Sequence, residues 1–335
     1  MSVVRWDCLG LKETYEARLR VEGKVFKTPL LEDEILRKSV GAKKIHHKLE
    51  CIQPTGSFKI RGATNKIMAL TQDERNNGVI TFSTGNHGRA LAHVAGKEKI
   101  KGYVCMSKRV SKDRIKNVEM LGAKAIVHGD SQDDTEEHYR KLIDEFGYIP
   151  VPPFDDPYII SGQGTIALEF LESIPELDLL LVPLSGGGLL SGIALTAKLI
   201  NPRIKIVGVS IEKSPVMLES IRHGKPLKLK EQDSIADSLL GGIGKENRYT
   251  MNLVMKYVDE HIVVSEDEIH RGMKHLFNKH NIIIEGAAAA GISGIITEKV
   301  DVRGKSVGTI LTGRTVMTDK YLSLMNQTDY QKEGE

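Results

Sequence analysis

Short apolar runs of strand type alternate with helical patterns along almost the whole chain, and that order leaves few folds open. KIHHKLE (44–50), GVITF (78–82), GYVCM (102–106) and residues 123–128 read as strands. Helical patterns lie at 56–70, with Thr55 or Ser57 as a cap, and at 86–95, 112–121 and 131–146. The second half repeats the order, with strands at 178–184, 204–210 and 306–311 and helices at 165–172, 189–199, 266–279 and 285–297. Strands separated by helices favour parallel sheets flanked by helices and joined by right-handed crossovers. The expectation is an α/β protein of two domains, each a mainly parallel twisted sheet flanked by helices. A chain of 335 residues has room for both. The Pro-rich stretch VPPFDDP (151–157) is the best crossing point.

Composition removes several function classes. Lys and Arg number 47 against 44 Asp and Glu, and aromatics are 5%. That balance offers no basic face for nucleic acid or an anionic membrane, and few rings for base stacking. Cys8, Cys51 and Cys105 are too few for a disulfide scaffold and show no C-x-x-C spacing. The N-terminus has no apolar signal core, and the longest apolar stretch, 282–296, is broken by Glu285. The reading is a soluble cytoplasmic protein. The polar ending DYQKEGE leaves no length for a regulatory module. No zinc spacing is visible, and the adjacent His46 and His47 face opposite sides of a strand, so no metal site is expected. Acidic pairs such as Asp133-Asp134 and Asp155-Asp156 read as solvated loops.

Glycine is the one unusual feature, and its clusters sit at strand–helix turns. In PTGSFKIRGA (54–63) a lysine, Lys59, lies just inside a helix N-terminus. The positive field there disfavours a charged amine and so favours a nucleophilic one. In STGNHG (83–88), Ser83, Thr84, Gly85, Asn86 and His87 follow the strand GVITF and open a helix. Free backbone N–H groups at such a turn suit a carboxylate or phosphate. In SGGGLLSG (185–192), three consecutive glycines expose bare N–H groups that form a phosphate cup. The competing reading is a dinucleotide loop, with Ser191 at the last glycine position and Glu212 as the ribose acid. An amine, a phosphate cup and a carboxylate loop together suit an aldehyde cofactor bearing a phosphate and acting on an amino acid, which is pyridoxal 5'-phosphate.

PTGSFKIRGA, STGNHGRA and SGGGLLSG, in this order and at these spacings, resemble the fold-type II pyridoxal-phosphate enzymes. Within them the chain is similar to the threonine/serine dehydratase and serine racemase branch, over about residues 28–315. The resemblance implies a tryptophan-synthase-β-like fold. Its larger cofactor domain would comprise residues 1–72 and 153–335, with a small mobile domain of residues 73–152 inserted. It implies Lys59 as the amine that carries the cofactor and later moves the substrate Cα proton, with Thr84 as the second catalytic residue. Phe58 would lie beside the ring, and Asn86 would bond the ring hydroxyl. Ser185, Gly186, Gly187, Gly188 and Leu189 would cradle the phosphate. Thr312 would face the ring nitrogen, with Glu285 near the cofactor. Ser83, Thr84, Gly85, Asn86 and His87 would hold the substrate carboxylate. A hydroxyl rather than a carboxylate at the ring nitrogen makes a weaker electron sink, which favours loss of a β-hydroxyl as the Cα proton departs. The implied activity is a dehydratase, or ammonia-lyase, giving a 2-oxo acid and ammonia. Relatives are usually dimers or tetramers, so a homo-oligomer is expected.

Three departures bear on substrate. Racemases of the family use a serine as acid/base where this chain has Thr84, whose extra methyl stiffens χ1. The common Ser-Gly-Gly-Asn ending is Thr312-Gly313-Arg314-Thr315, and the common Ala-Asp-Gly is Ala236-Asp237-Ser238. Arg89 sits one turn beyond the carboxylate loop. These features are similar to hydroxyectoine-utilisation dehydratases. They direct attention to a substrate such as a 3-hydroxyaspartate, with Arg314 and Arg89 as its specificity residues and Arg314 as a partner for Glu285. Racemisation, a catalytically dead cofactor-binding regulator and a nucleotide-binding oxidoreductase are the alternatives.

Overall fold

The structure, a computed structural model, describes residues 6–130, 132–230, 232–244 and 246–327. Ser131, at the start of one expected helix, and the DYQKEGE ending lie outside the described residues. Among the described residues the strands are β1 (Leu30–Glu32), β2 (Lys44–Lys48), β3 (Val79–Phe82), β4 (Gly102–Met106), β5 (Lys124–Val127), β6 (Ile149–Pro150), β7 (Leu179–Pro183), β8 (Lys205–Ile211), β9 (Glu260–Val264) and β10 (Ser306–Ile310). They form a six-stranded sheet in the order β1-β2-β10-β7-β8-β9 and a four-stranded sheet in the order β5-β4-β3-β6. Every pairing is parallel except β1 with β2. β7 and β10 are buried at every position. Continuous apolar strands are what a parallel sheet covered on both faces requires.

The expected helix at 56–70 forms only over Lys59–Met68. Gly56 adopts φ +79°, outside the helical region, and residues 56–58 are strapped to the end of β10. Phe58 N–H donates to the Thr312 carbonyl at 3.0 Å, and Arg314 N–H donates to the Gly56 carbonyl at 2.9 Å. The expected caps are not made: Thr55 Oγ1 and Ser57 Oγ are buried without a hydrogen-bond partner among the described residues. The helix expected at 165–172 begins much earlier, at Pro157. Asp156 caps it by accepting from the N–H groups of Tyr158 and Ile159.

The acidic pairs are not solvated loops. Asp133-Asp134 lies within the helix Gln132–Phe146. Asp156 pairs with Lys66 Nζ at 2.7 Å, and Asp155 caps the helix Thr250–Tyr257 by accepting from the Tyr249 and Thr250 N–H groups. Among the described residues no helix is long and apolar enough to cross a membrane.

Candidate active site

Loops from the C-terminal ends of neighbouring strands converge on one cleft of about 1790 Å³. That end is where ligands bind in open α/β sheets, and the volume holds a cofactor together with a small substrate. β2 leads through residues 49–58 to Lys59, β7 leads to the glycine loop, and β10 ends two residues before Thr312. From the four-stranded sheet, β3 leads to residues 83–87 on the same cleft. Lys59, Phe58, Ser83, Thr84, Gly85, Asn86, His87, Ser185, Gly186, Gly187, Gly188, Leu189, Glu285 and Thr312 all line it.

Lys59 opens its helix, and its Nζ donates to the Pro153 carbonyl at 2.7 Å. Burial pushes its amine down to about 8, with the Glu285 charge pulling the other way. Desolvation is the largest cause of that shift. Glu285 is itself buried, which raises its carboxyl above the ordinary range. It accepts from Asn86 Nδ2 at 2.9 and 3.0 Å and from the Thr315 N–H at 3.1 Å. Gly313 is needed beside it, because a Cβ there would lie 2.9 Å from the carboxylate. Asn86 Oδ1 is buried and has no partner among the described residues, leaving an acceptor free for a ring hydroxyl.

The glycine loop is shaped by packing as well as by its N–H groups. A Cβ on Gly186 would meet the Phe154 ring at 2.4 Å, and one on Gly188 would meet Phe154 Cα at 2.9 Å. Gly187 has φ +87° and caps the helix Gly188–Ile200 without a side-chain bond, so that first turn keeps free N–H groups. The helix Asn86–Lys97 likewise starts at Gly85 with no side-chain cap, and a Cβ on Gly85 would meet open space. Two uncapped helix starts thus border the cleft, each able to take an anion. The free N–H groups, the glycine cradle and the orphaned amide oxygen fit a phosphate-bearing ring cofactor.

Several expectations are refined. His87 Nε2 lies 2.9 Å from the Val151 carbonyl, and burial pushes its imidazole down to about 3. The ring is therefore neutral and donates to that carbonyl, so it anchors the loop; only the His87 backbone remains free for a carboxylate. Arg314 is exposed and does not line the cleft, and Glu285 pairs with Asn86 and Thr315 rather than with it. Arg89 does line the cleft, and its Nε is buried without a partner among the described residues. Glu212 is exposed and outside the cleft, so it offers no ribose contact there. Phe154 and Pro153 belong to the site but were read only as a domain crossing. Their signal was the proline-rich stretch itself, which is too local to show what it packs against.

Fold and cleft together define an α/β protein with a buried lysine, a glycine loop and a second uncapped helix start on one cleft. A family model described as "Pyridoxal-phosphate dependent enzyme" matches residues 21–313. The L-threonine ammonia-lyase of Thermotoga maritima is 35% identical over 95% of this chain and 79% of its own. The L-threo-3-hydroxyaspartate ammonia-lyase of Saccharomyces cerevisiae is 35% identical over 94% of this chain and 95% of its own. Maize serine racemase superposes with a TM-score of 0.89 at 32% identity, covering 95% of this chain and 97% of that one. The chain belongs to the pyridoxal-phosphate dependent enzymes, of fold type II, in the threonine/serine dehydratase family; it is a pyridoxal-phosphate-dependent lyase.

Proposed function

We propose that this protein removes the β-hydroxyl of a small hydroxy amino acid of the threonine/serine kind, yielding a 2-oxo acid and ammonia. The observation that carries the reading is Lys59, its amine pushed down to about 8, on the same cleft as the glycine cradle and the Thr312 hydroxyl. Bound pyridoxal phosphate supplies an aldehyde for the substrate amine and a ring that withdraws electrons from Cα. Residues 185–189 hold the phosphate, and the first turn after Gly85 holds the substrate carboxylate. Lys59 Nζ takes the Cα proton. As it does so the Cβ–O bond breaks, and the hydroxyl leaves as water with a proton from the site. The released enamine tautomerises to an imine, which water splits to 2-oxo acid and ammonia. Phe58, whose ring centroid lies 5.2 Å from Lys59 Nζ, keeps one side of that amine dry. Thr312 would offer a neutral hydroxyl to the ring nitrogen of the bound cofactor.

Lys59→Ala tests this. Oxo-acid formation from L-threonine and L-serine falls by about 10³-fold or more, and the borohydride-sensitive visible absorbance disappears. Retained turnover would remove Lys59 from the chemistry. A second reading, an acidic β-hydroxy amino acid, is favoured by the unpartnered Arg89 Nε on the cleft wall. Arg89→Gln then lowers kcat/KM for 3-hydroxyaspartate by about 10- to 100-fold and leaves L-threonine nearly unchanged. A cytoplasmic homo-oligomer is part of the same reading, and sedimentation velocity measures its size.

A further inference from the structure

Asp33 follows β1 and caps the short helix Glu34–Val40, its Oδ1 accepting the Leu36 N–H at 2.9 Å. Its carboxylate is fully buried, and among the described residues no lysine or arginine pairs with it. Three imidazoles face it instead. His275 Nε2 lies 2.8 Å and His47 Nε2 3.0 Å from Oδ2, and His280 Nε2 lies 3.2 Å from Oδ1. Although so close, His280 Nε2 is buried and forms no hydrogen bond with proper geometry among the described residues. One ligand atom from each of Asp33, His275 and His280 lies within 4.8 Å of the others. A tetrahedral ion with bonds of about 2.0–2.2 Å separates its ligand atoms by roughly 3.4 Å, a spacing inside that limit.

We propose that Asp33, His275 and His280 bind a divalent transition metal of the zinc type, with His47 as the positioning residue that donates to the Asp33 carboxylate. A dication neutralises a buried carboxylate that otherwise has only imidazoles for countercharge. It would take an Nε2 lone pair from each of His275 and His280, with the ring proton on Nδ1, and the mixed N/O set suits zinc, cobalt or nickel better than calcium or magnesium. The Leu36 and His47 donors orient the carboxylate, as outer partners of ligating carboxylates do. The ligands stand at positions 33, 275 and 280, so no local spacing reveals them, and the earlier expectation of no metal rested on spacing alone. His280 ends the helix Glu266–His280, and five residues later the chain reaches Glu285. The ion would therefore pin the segment that delivers the cofactor-site carboxylate.

The test is zinc content of the cofactor-loaded enzyme after equilibration with zinc and removal of free metal. The wild type should retain about one zinc per chain, and its melting temperature should rise by about 5 °C over chelated enzyme. His280→Gln should weaken zinc binding by about 10-fold or more while basal oxo-acid formation and far-UV dichroism stay unchanged. Cobalt in place of zinc should give d–d bands in the wild type that are lost in the variant. If His280→Gln fails to fold, His275→Asn is measured in the same way. A wild type that retains no more zinc than a folded ligand variant, or that gives no cobalt bands, overturns the proposal.

Discussion

Lys59 shows how one buried residue sets a pH profile. Its amine falls from an ordinary 10.5 to about 8, with desolvation the largest cause. Cofactor capture by the cofactor-free protein should rise with pH up to about 8 and then level off, as followed by growth of the visible absorbance. A profile still rising steeply toward 10 would contradict the burial account. His87 makes the opposite kind of statement, about stability. Its imidazole stays neutral to about 3 when folded, against an ordinary 6.5. Between those values the unfolded chain binds more protons, so stability rises with pH there and falls as acid is added. His87→Asn should flatten that limb in denaturant melts taken across the window. Lys59 was legible because its neighbours Gly56, Ser57 and Gly62 are contiguous in the chain. The side-chain direction of His87 was not, because it depends on Val151, which lies on the far side of β6 from its loop in sequence.

At the scale of elements, the Lys59–Met68 helix is held by charges as well as by its apolar face. Arg61, fully buried, bonds Glu50 through Nε and Nη2, both at 2.8 Å, and reaches Glu169 through Nη1 at 2.7 Å. These bonds tie the helix to the Glu50 turn and to the helix Pro157–Ser173. Arg61→Met should destabilise by about 3–5 kcal/mol, because Glu50 is left buried and unpaired. Chemical denaturation measures it; a loss under about 1 kcal/mol would show that Lys48 and Thr28 suffice for Glu50. The strand–helix order was readable because each strand is a compact apolar run. β9 was missed because it begins with Glu260 and His261 and occupies a sheet edge, where burial is only partial. Helix starts were misplaced where a distant strap or an unread cap decides them. The strap between residues 56–58 and 312–314 delays one start, and Asp156 advances another.

For the whole molecule, the cleft exists only because two sheets present their strand ends to one another. Asn86, from the four-stranded side, donates to Glu285 of the six-stranded side, and Arg114 approaches Asp237 at 3.8 Å. That exposed ion pair contributes little, whereas a ligand gripping both walls contributes much. Removing the cofactor should therefore lower the melting temperature, and an unchanged value would mean that it is not bound in the native cleft. The three glycine motifs made this convergence readable, since each marks a strand end. The separation of Arg89 from Arg314 was not readable, because it depends on which way the chain turns after Gly313. The most direct measurement is a substrate panel on cofactor-loaded enzyme: L- and D-serine, L-threonine and both 3-hydroxyaspartate diastereomers. It scores 2-oxo acid, ammonia and enantiomer together. The account predicts oxo acid and ammonia in equal amounts from at least one β-hydroxy substrate, with little enantiomer. An enantiomer accumulating without oxo acid would contradict it and make Thr84 an acid/base rather than a carboxylate contact.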